Sequence, residues 1–167
     1  MMGTRPCSGI ARWGVDCVND LYELSVGVPS VEVYRRLRTD AGLSDKHPDA
    51  VAIALPHTWH GVVLRHQGEP IGMGRIIGDG GTAFQIVDVC VHPAHQGRGL
   101  GSRLMAALTE ELERRAPATA YVSLIADGPA RFLYEKFGFT DTAAHDSVGM
   151  YRVMVGSGGV DAAQAQP

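Results

Sequence analysis

The spacing of apolar positions changes twice between Thr82 and Ile125, and those changes outline the middle of the fold. Thr82 to Val91 is rich in β-branched and other apolar residues, with Asp88 and Cys90 set into its second half; such a run predicts a buried strand. From Gly99 to Arg115 the leucines at 100, 104, 108 and 112 recur every fourth position, while Glu110 with Arg114 and Glu111 with Arg115 fall four apart on the other side. That pattern predicts an amphipathic helix lying on a sheet. Pro117 stops it, and Ala120 to Ile125 returns to a short apolar run, a second buried strand.

Upstream, an imperfect alternation over Val18 to Val26 predicts a strand ended by Gly27-Val28-Pro29. Ser30 is placed to cap a helix whose Val33, Tyr34 and Leu37 are apolar and whose Arg35, Arg36 and Arg38 are expected to face water, with Gly42 closing it. A second helix is expected from Pro48 to Leu55. Strands over Trp59–His66, Ile71–Ile77 and Thr82–Val91, joined by Gln67-Gly68-Glu69 and Gly78-Asp79-Gly80-Gly81, form an antiparallel meander. Strand parity sets Asp88 on the face opposite Val87 and Val89. After the second buried strand, Asp127 is expected to cap a short helix that begins at Gly128-Pro129 and ends at Gly138, followed by a hairpin of Phe139–Thr142 and Val148–Val155. The reading is a single α+β (mixed α/β) domain over 17–155, with a loose lead-in at 1–16 and a tail at 156–167 that lacks any apolar period.

Composition narrows the class. With 45% hydrophobic and 20% charged residues and a net charge of −3, the chain reads as an ordinary globular domain without the basic footprint of a nucleic-acid binder. No apolar run is long enough to span a bilayer and no leader pattern opens the chain, so no membrane partner and a cytoplasmic location are the expectations. Cys7, Cys17 and Cys90 are odd in number and lack metal-like spacing, which favours reduced thiols. His57 and His60 have the H-x-x-H spacing but no third ligand nearby, so no metal is expected and both are placed at the surface or an acceptor rim.

Gly97, Gly99 and Gly101 stand between the central strand and the long helix. A loop free of side chains at a helix N-terminus exposes N–H donors at the positive end of the dipole, which suits a pyrophosphate. The spacing fits neither G-x-G-x-x-G nor a loop ending in G-K-[ST]. Gln96-Gly97-Arg98-Gly99-Leu100-Gly101 instead resembles the [RQ]-x-x-G-x-[GA] signature of the GNAT superfamily of acyl-CoA-dependent N-acetyltransferases. Val87-Asp88-Val89-Cys90-Val91-His92-Pro93 looks like that family's central strand, and Leu133-Tyr134-Glu135-Lys136-Phe137-Gly138-Phe139 looks like its second hallmark.

The resemblance implies a sheet in which two parallel neighbours, here Phe84–Val91 and Ala120–Ile125, splay apart around an acyl chain. It implies acetyl-CoA as cosubstrate, with Gln96, Gly97, Arg98, Gly99, Leu100, Gly101 and Ser102 around the pyrophosphate and the backbone of Val89, Cys90 and Val91 beside the thioester. Tyr134 would lie near the sulfur as proton donor. Cys90 could in principle form an acyl-enzyme, but a small buried residue is the usual fate of a strand cysteine. Many relatives carry Asn where Asp127 stands, which puts a cofactor contact by Asp127 in doubt. Strand positions that hold a base in some relatives align with Gln85 and Val87, which cannot accept a proton at neutral pH. Asp88 and His92 are the ionisable groups left near them, Asp88 as base or amine anchor and His92 as relay. Tyr34, Trp59 and Phe84 are available to wall an acceptor pocket, and Arg35 or Arg38 to meet a carboxylate. The expected function is acetyl transfer to the primary amine of a small molecule by direct attack. A protein or peptide N-acetyltransferase and a non-catalytic acyl-CoA-binding module stay open, as does a homodimer, by analogy with the family.

Overall fold

The computed structural model describes residues 21–145, 147–150 and 152. The lead-in at 1–16, Cys7, Cys17, the tail and the final residues of the expected last hairpin lie outside them. In chain order the elements are β1 (Tyr22–Val26), α1 (Val31–Asp40), α2 (Pro48–Ala54), β2 (His60–His66), β3 (Glu69–Gly78), β4 (Ala83–Val91), α3 (Leu100–Arg115), β5 (Tyr121–Leu124) and α4 (Arg131–Tyr134). The strands form one five-stranded sheet in sequential order. β1 to β4 run antiparallel, and β5 lies parallel to β4. This is the mixed α+β sheet that the apolar pattern predicts. Ser30 caps α1, its hydroxyl accepting from the Val33 N–H at 3.3 Å. Gln67 and Gly68 both have positive φ, 52° and 82°, the conformation that lets a two-residue turn follow the twist of β2 and β3.

Each face of the sheet has its own core. On one, Leu100, Leu104, Met105, Leu108 and Leu112 of α3 pack over Val62, Leu64, Ile76, Phe84 and Ile86, each buried leucine contributing on the order of 2 kcal/mol. On the other, Tyr34 and Leu37 of α1 and Val51 and Leu55 of the α2 segment cover Met73 and Cys90. α3 approaches closely because Gly74 has no side chain: a Cβ there would stand 2.8 Å from Leu108 Cδ1. Among the described residues no helix is long and apolar enough to cross a membrane.

Two irregularities in β4 prepare the site. Its pairing with β5 ends at Ile86 and Leu124 while β4 continues to Val91, so the parallel strands part. Against β3, Arg75 pairs with Val87 and Met73 with Cys90, leaving Asp88 and Val89 together opposite Gly74. Asp88 takes up the extra residue with φ of 57°, as a β-bulge requires. The bulge overturns simple parity. Asp88 turns to the α1 face, as its contacts with Tyr34 and Arg38 show, and alternation from the α3-facing Phe84 and Ile86 puts Val87 there too.

Other expectations are corrected locally. Arg38 is not on the water-facing side of α1; it stands four residues after Tyr34 and is 7% exposed. Asp127 precedes the turn at Gly128–Ala130 but makes no capping hydrogen bond. Phe139 to Asp141 form no strand, and Thr142–His145 is a 3-10 turn.

Candidate active site

A cavity of about 390 Å³ opens where β4 and β5 separate. Its walls come from three directions: Arg38, Leu43 and Lys46 from α1 and the loop after it, Gln85 to Val89 from β4, and Ile125, Asp127 and Tyr134 from the end of β5 and α4.

The bulge supplies the centre of the first wall. Asp88 Oδ1 accepts from the Tyr34 hydroxyl at 3.0 Å and from Arg38 Nη1. Its Oδ2 accepts from Arg75 Nε at 2.7 Å and lies 2.6 Å from Arg75 Nη2. The two guanidiniums are held in turn, Arg38 by the Ser44 carbonyl at 2.9 Å and Arg75 by Thr58 Oγ1 at 2.8 Å. All three charged side chains are less than a tenth exposed, a degree of burial that charges tolerate only when paired and hydrogen-bonded. Burial first, and then the Asp88 charge, push the Tyr34 phenol above its ordinary range, so it stays a donor.

On the opposite wall the Tyr134 phenol is also raised, by burial and then by Asp127 and Cys90. Cys90 is buried beneath α1, and that burial, with Asp88 nearby, pushes its thiol up to about 12. A thiol so disposed is protonated at neutral pH, which removes the basis for an acyl-enzyme at Cys90.

At the end of β4, Gln96 anchors the glycine loop, its side-chain amide donating to the Val91 carbonyl at 2.8 Å. Gly97 and Gly99 have φ of 74° and 75°, and nothing stands within 4 Å of a Cβ built on either. Among the described residues no backbone carbonyl accepts from the N–H groups of Gly97, Arg98 or Gly99, and the first turn of α3 leaves further donors without intrahelical partners. The exposed Arg98 stands among them. These features fit a pyrophosphate approaching bare backbone.

Residues 57–141 match the model of the acetyltransferase (GNAT) domain. The chain belongs to the GNAT family of acetyltransferases. Its fold is similar to that of a probable acetyltransferase of unknown function from meticillin-resistant Staphylococcus aureus, with 43% identity and a TM-score of 0.76 over 80% of this chain and 99% of that one. It is also 38% identical over 63 residues to an L-methionine sulfoximine/L-methionine sulfone acetyltransferase of Salmonella typhimurium, 37% of each chain. A further match, 32% over 56 residues, is to a ribosomal protein bS18-alanine N-acetyltransferase of Haemophilus influenzae, 34% of this chain and 38% of that one. The chain thus spans little more than a third of the length of these two relatives.

Of the residues that the GNAT resemblance singles out, Asp88, Val89 and Tyr134 border one cavity, whereas Cys90, Val91 and Gln96 to Ser102 do not; Gln96 to Ser102 form the loop and helix start that follow β4. His92 does not border it. Its Nδ1 accepts from the Ala94 N–H at 3.2 Å and its Nε2 lies 3.8 Å from Asp40 Oδ2. The expected aromatic wall is divided: Tyr34 lies on the α1 face, whereas Trp59 and Phe84 pack edge to face at 4.7 Å on the α3 face. Arg35 points away, to Asp45 at 3.0 Å. His60 is neither at the surface nor at the rim; its side chain is 9% exposed and its Nδ1 lies 3.6 Å from Glu111 Oε1. Arg75 and Lys46 are the residues that the sequence pattern left unassigned, and Asp127, expected as a helix cap, lines the cavity instead. A lone arginine in the apolar run from Ile71 to Ile77, and the four-residue step from Tyr34 to Arg38, are the available signals.

Proposed function

We propose that the chain transfers the acetyl group of acetyl-CoA to a primary amine of a small molecule, by direct attack of the amine nitrogen. The observation that carries this is the meeting of the bulged backbone at Asp88 and Val89 with Tyr134 in one cavity, on a strand whose end at Val91 is tied to the glycine loop by Gln96. Bound acetyl-CoA would supply the activated acetyl group. The N–H groups of the loop hold its phosphates, and the bulge, which takes Val89 out of regular pairing with β3, frees backbone to meet the negative charge that grows on the carbonyl oxygen. The amine nitrogen bonds to the carbonyl carbon, the carbon–sulfur bond breaks, and Tyr134 gives its proton to the departing sulfur. The oxygens of Asp88 are committed to Tyr34, Arg38 and Arg75, which suits a positioning residue better than a base; the amine's proton leaves to solvent through the cavity.

Acetylation of a protein N-terminus is the second reading, favoured by the bS18-alanine acetyltransferase among the relatives. Thiol release from acetyl-CoA, measured over small amines and N-terminal peptides alongside calorimetric titration of CoA, separates the two. Turnover on small amines is expected. Turnover confined to peptides would replace the first reading by the second, CoA binding with no turnover would leave a binding module, and failure of CoA to bind would overturn all three.

A further inference from the structure

We infer that the acetyl acceptor carries, besides its amine, an anionic group of the carboxylate or phosphate type, received by Arg38 and Lys46 at the α1 end of the cavity. This names the substrate class for the acetyl-transfer reading and rests on it. The starting point is a charge imbalance. Arg38 and Arg75 share the single carboxylate of Asp88, and the side chains are 9%, 7% and 7% exposed, so one positive charge is left over where water reaches poorly. The Tyr34 hydroxyl, which completes the set, is neutral and donates.

The neighbouring acids do not cancel that charge. Asp45 feels the charge of Arg38, but it is exposed and its oxygens are taken by Arg35 at 3.0 and 2.5 Å, so it balances Arg35; Asp40 stands toward His92. Asp127 lies on the far wall with Tyr134. Arg38, in contrast, borders the cavity and still has donors to give. Of its five N–H groups, three go to the Ser44 carbonyl, Ser44 Oγ and Asp88, leaving one on Nη1 and one on Nη2. Lys46 borders the same cavity, is exposed, and forms no side-chain ion pair among the described residues. A guanidinium with spare donors beside a free ammonium is a receptor for an oxyanion.

The field also sets the direction. Asp127 repels an anion and attracts an ammonium at the Tyr134 side, so the acceptor lies with its amine toward Tyr134 and its anion toward α1. A simple alkylamine would leave the positive end unused.

The test compares acceptors that share a carbon skeleton: an α-amino acid, its primary amide and its decarboxylated amine, together with ethanolamine and ethanolamine phosphate. With saturating acetyl-CoA, kcat/KM is expected to favour the carboxylate-bearing or phosphate-bearing member by roughly tenfold or more; which of the two leads identifies the anion. Lys46→Glu should remove or invert that preference through KM, Lys46→Arg should keep it, and the affinity for CoA should stay the same in both. Independently of turnover, acetate or inorganic phosphate should raise the Tm of the CoA-saturated protein, and Lys46→Glu should abolish that shift. Equal kcat/KM across each set, a preference unmoved by Lys46→Glu, or no anion-dependent Tm shift would overturn the inference while leaving acetyl transfer in place. Loss of CoA binding in the unaltered chain would instead overturn the reading beneath it.

Discussion

The glycine loop and the Asp88 cluster are built on different principles. The loop, proposed as the cofactor side, is one continuous stretch from Gln96 into α3, and its chemistry belongs to the backbone: bare N–H groups, positive φ at Gly97 and Gly99, and a helix start. The cluster, proposed as the acceptor side, gathers Tyr34 and Arg38 from α1, Arg75 from β3 and Asp88 from β4 around one carboxylate. The first can be written in a short motif, because neighbours in sequence are neighbours in space. The second exists only after the sheet has formed, and it is held by partners rather than by spacing.

The sharpest way to break this contrast is Asp88→Ala, which leaves two buried guanidiniums facing each other. A loss of about 3–5 kcal/mol is expected in denaturant unfolding, and a loss below about 1 kcal/mol would show that the cluster is hydrated and contributes no more than a surface pair. Next comes Tyr134→Phe, expected to lower kcat about 100-fold with KM for acetyl-CoA unchanged. Because burial and Asp127 raise the phenol, Tyr134 stays protonated through neutral pH, and its own titration should reduce turnover only above pH of about 10. A tyrosine-dependent limb at lower pH would count against it as the proton donor.

Gly99→Val tests the cofactor side alone. A β-branched residue at φ of 75° strains the backbone and shields the N–H groups, so the Kd of CoA should rise by roughly tenfold or more, about 1.4 kcal/mol, whereas anion-dependent stabilisation at Lys46 should persist. Cys90→Ala should cost about 1 kcal/mol in stability and leave kcat intact, since a thiol pushed up to about 12 has no thiolate to offer; loss of turnover would restore the acyl-enzyme. The smallest effect lies away from both sides. Arg114, and then Arg115, hold Glu111 down to about 2 from an ordinary 4.5. A depressed carboxylate stabilises the fold above its unfolded value and loses that stabilisation as pH falls from about 4.5 to 2. Glu111→Gln should therefore flatten the acid limb of a stability–pH profile in that window, and an unchanged limb would assign it to other groups.

The sequence was informative wherever one segment decided its own conformation. The leucine stripe predicts α3, the Gln67-Gly68 turn predicts the β2–β3 hairpin, and the glycine spacing predicts the open loop between β4 and α3. It misled wherever a distant partner decided. Arg38 looks solvated until Asp88 reaches it, and Asp88 sits on the wrong face by parity until an extra residue opposite Gly74 turns it over. Trp59 and Phe84 look like pocket walls because periodicity does not say which face of the sheet a strand residue will cover. Asp127 has the residue type of a helix cap, yet stands in the wall beside Tyr134.

The shared carboxylate of Asp88 also bears on how this chain can change over generations. Arg38, Arg75 and Asp88 lie 37 and 13 positions apart in sequence, yet they are not equally free to change: replacing Asp88 alone strands two buried guanidiniums, whereas losing either arginine leaves a balanced pair. A lineage that abandons the arrangement should therefore lose an arginine before Asp88, and one that keeps it should keep all three. Comparison of closely related chains at just those positions would then trace where the acceptor was retained and where it was traded for another.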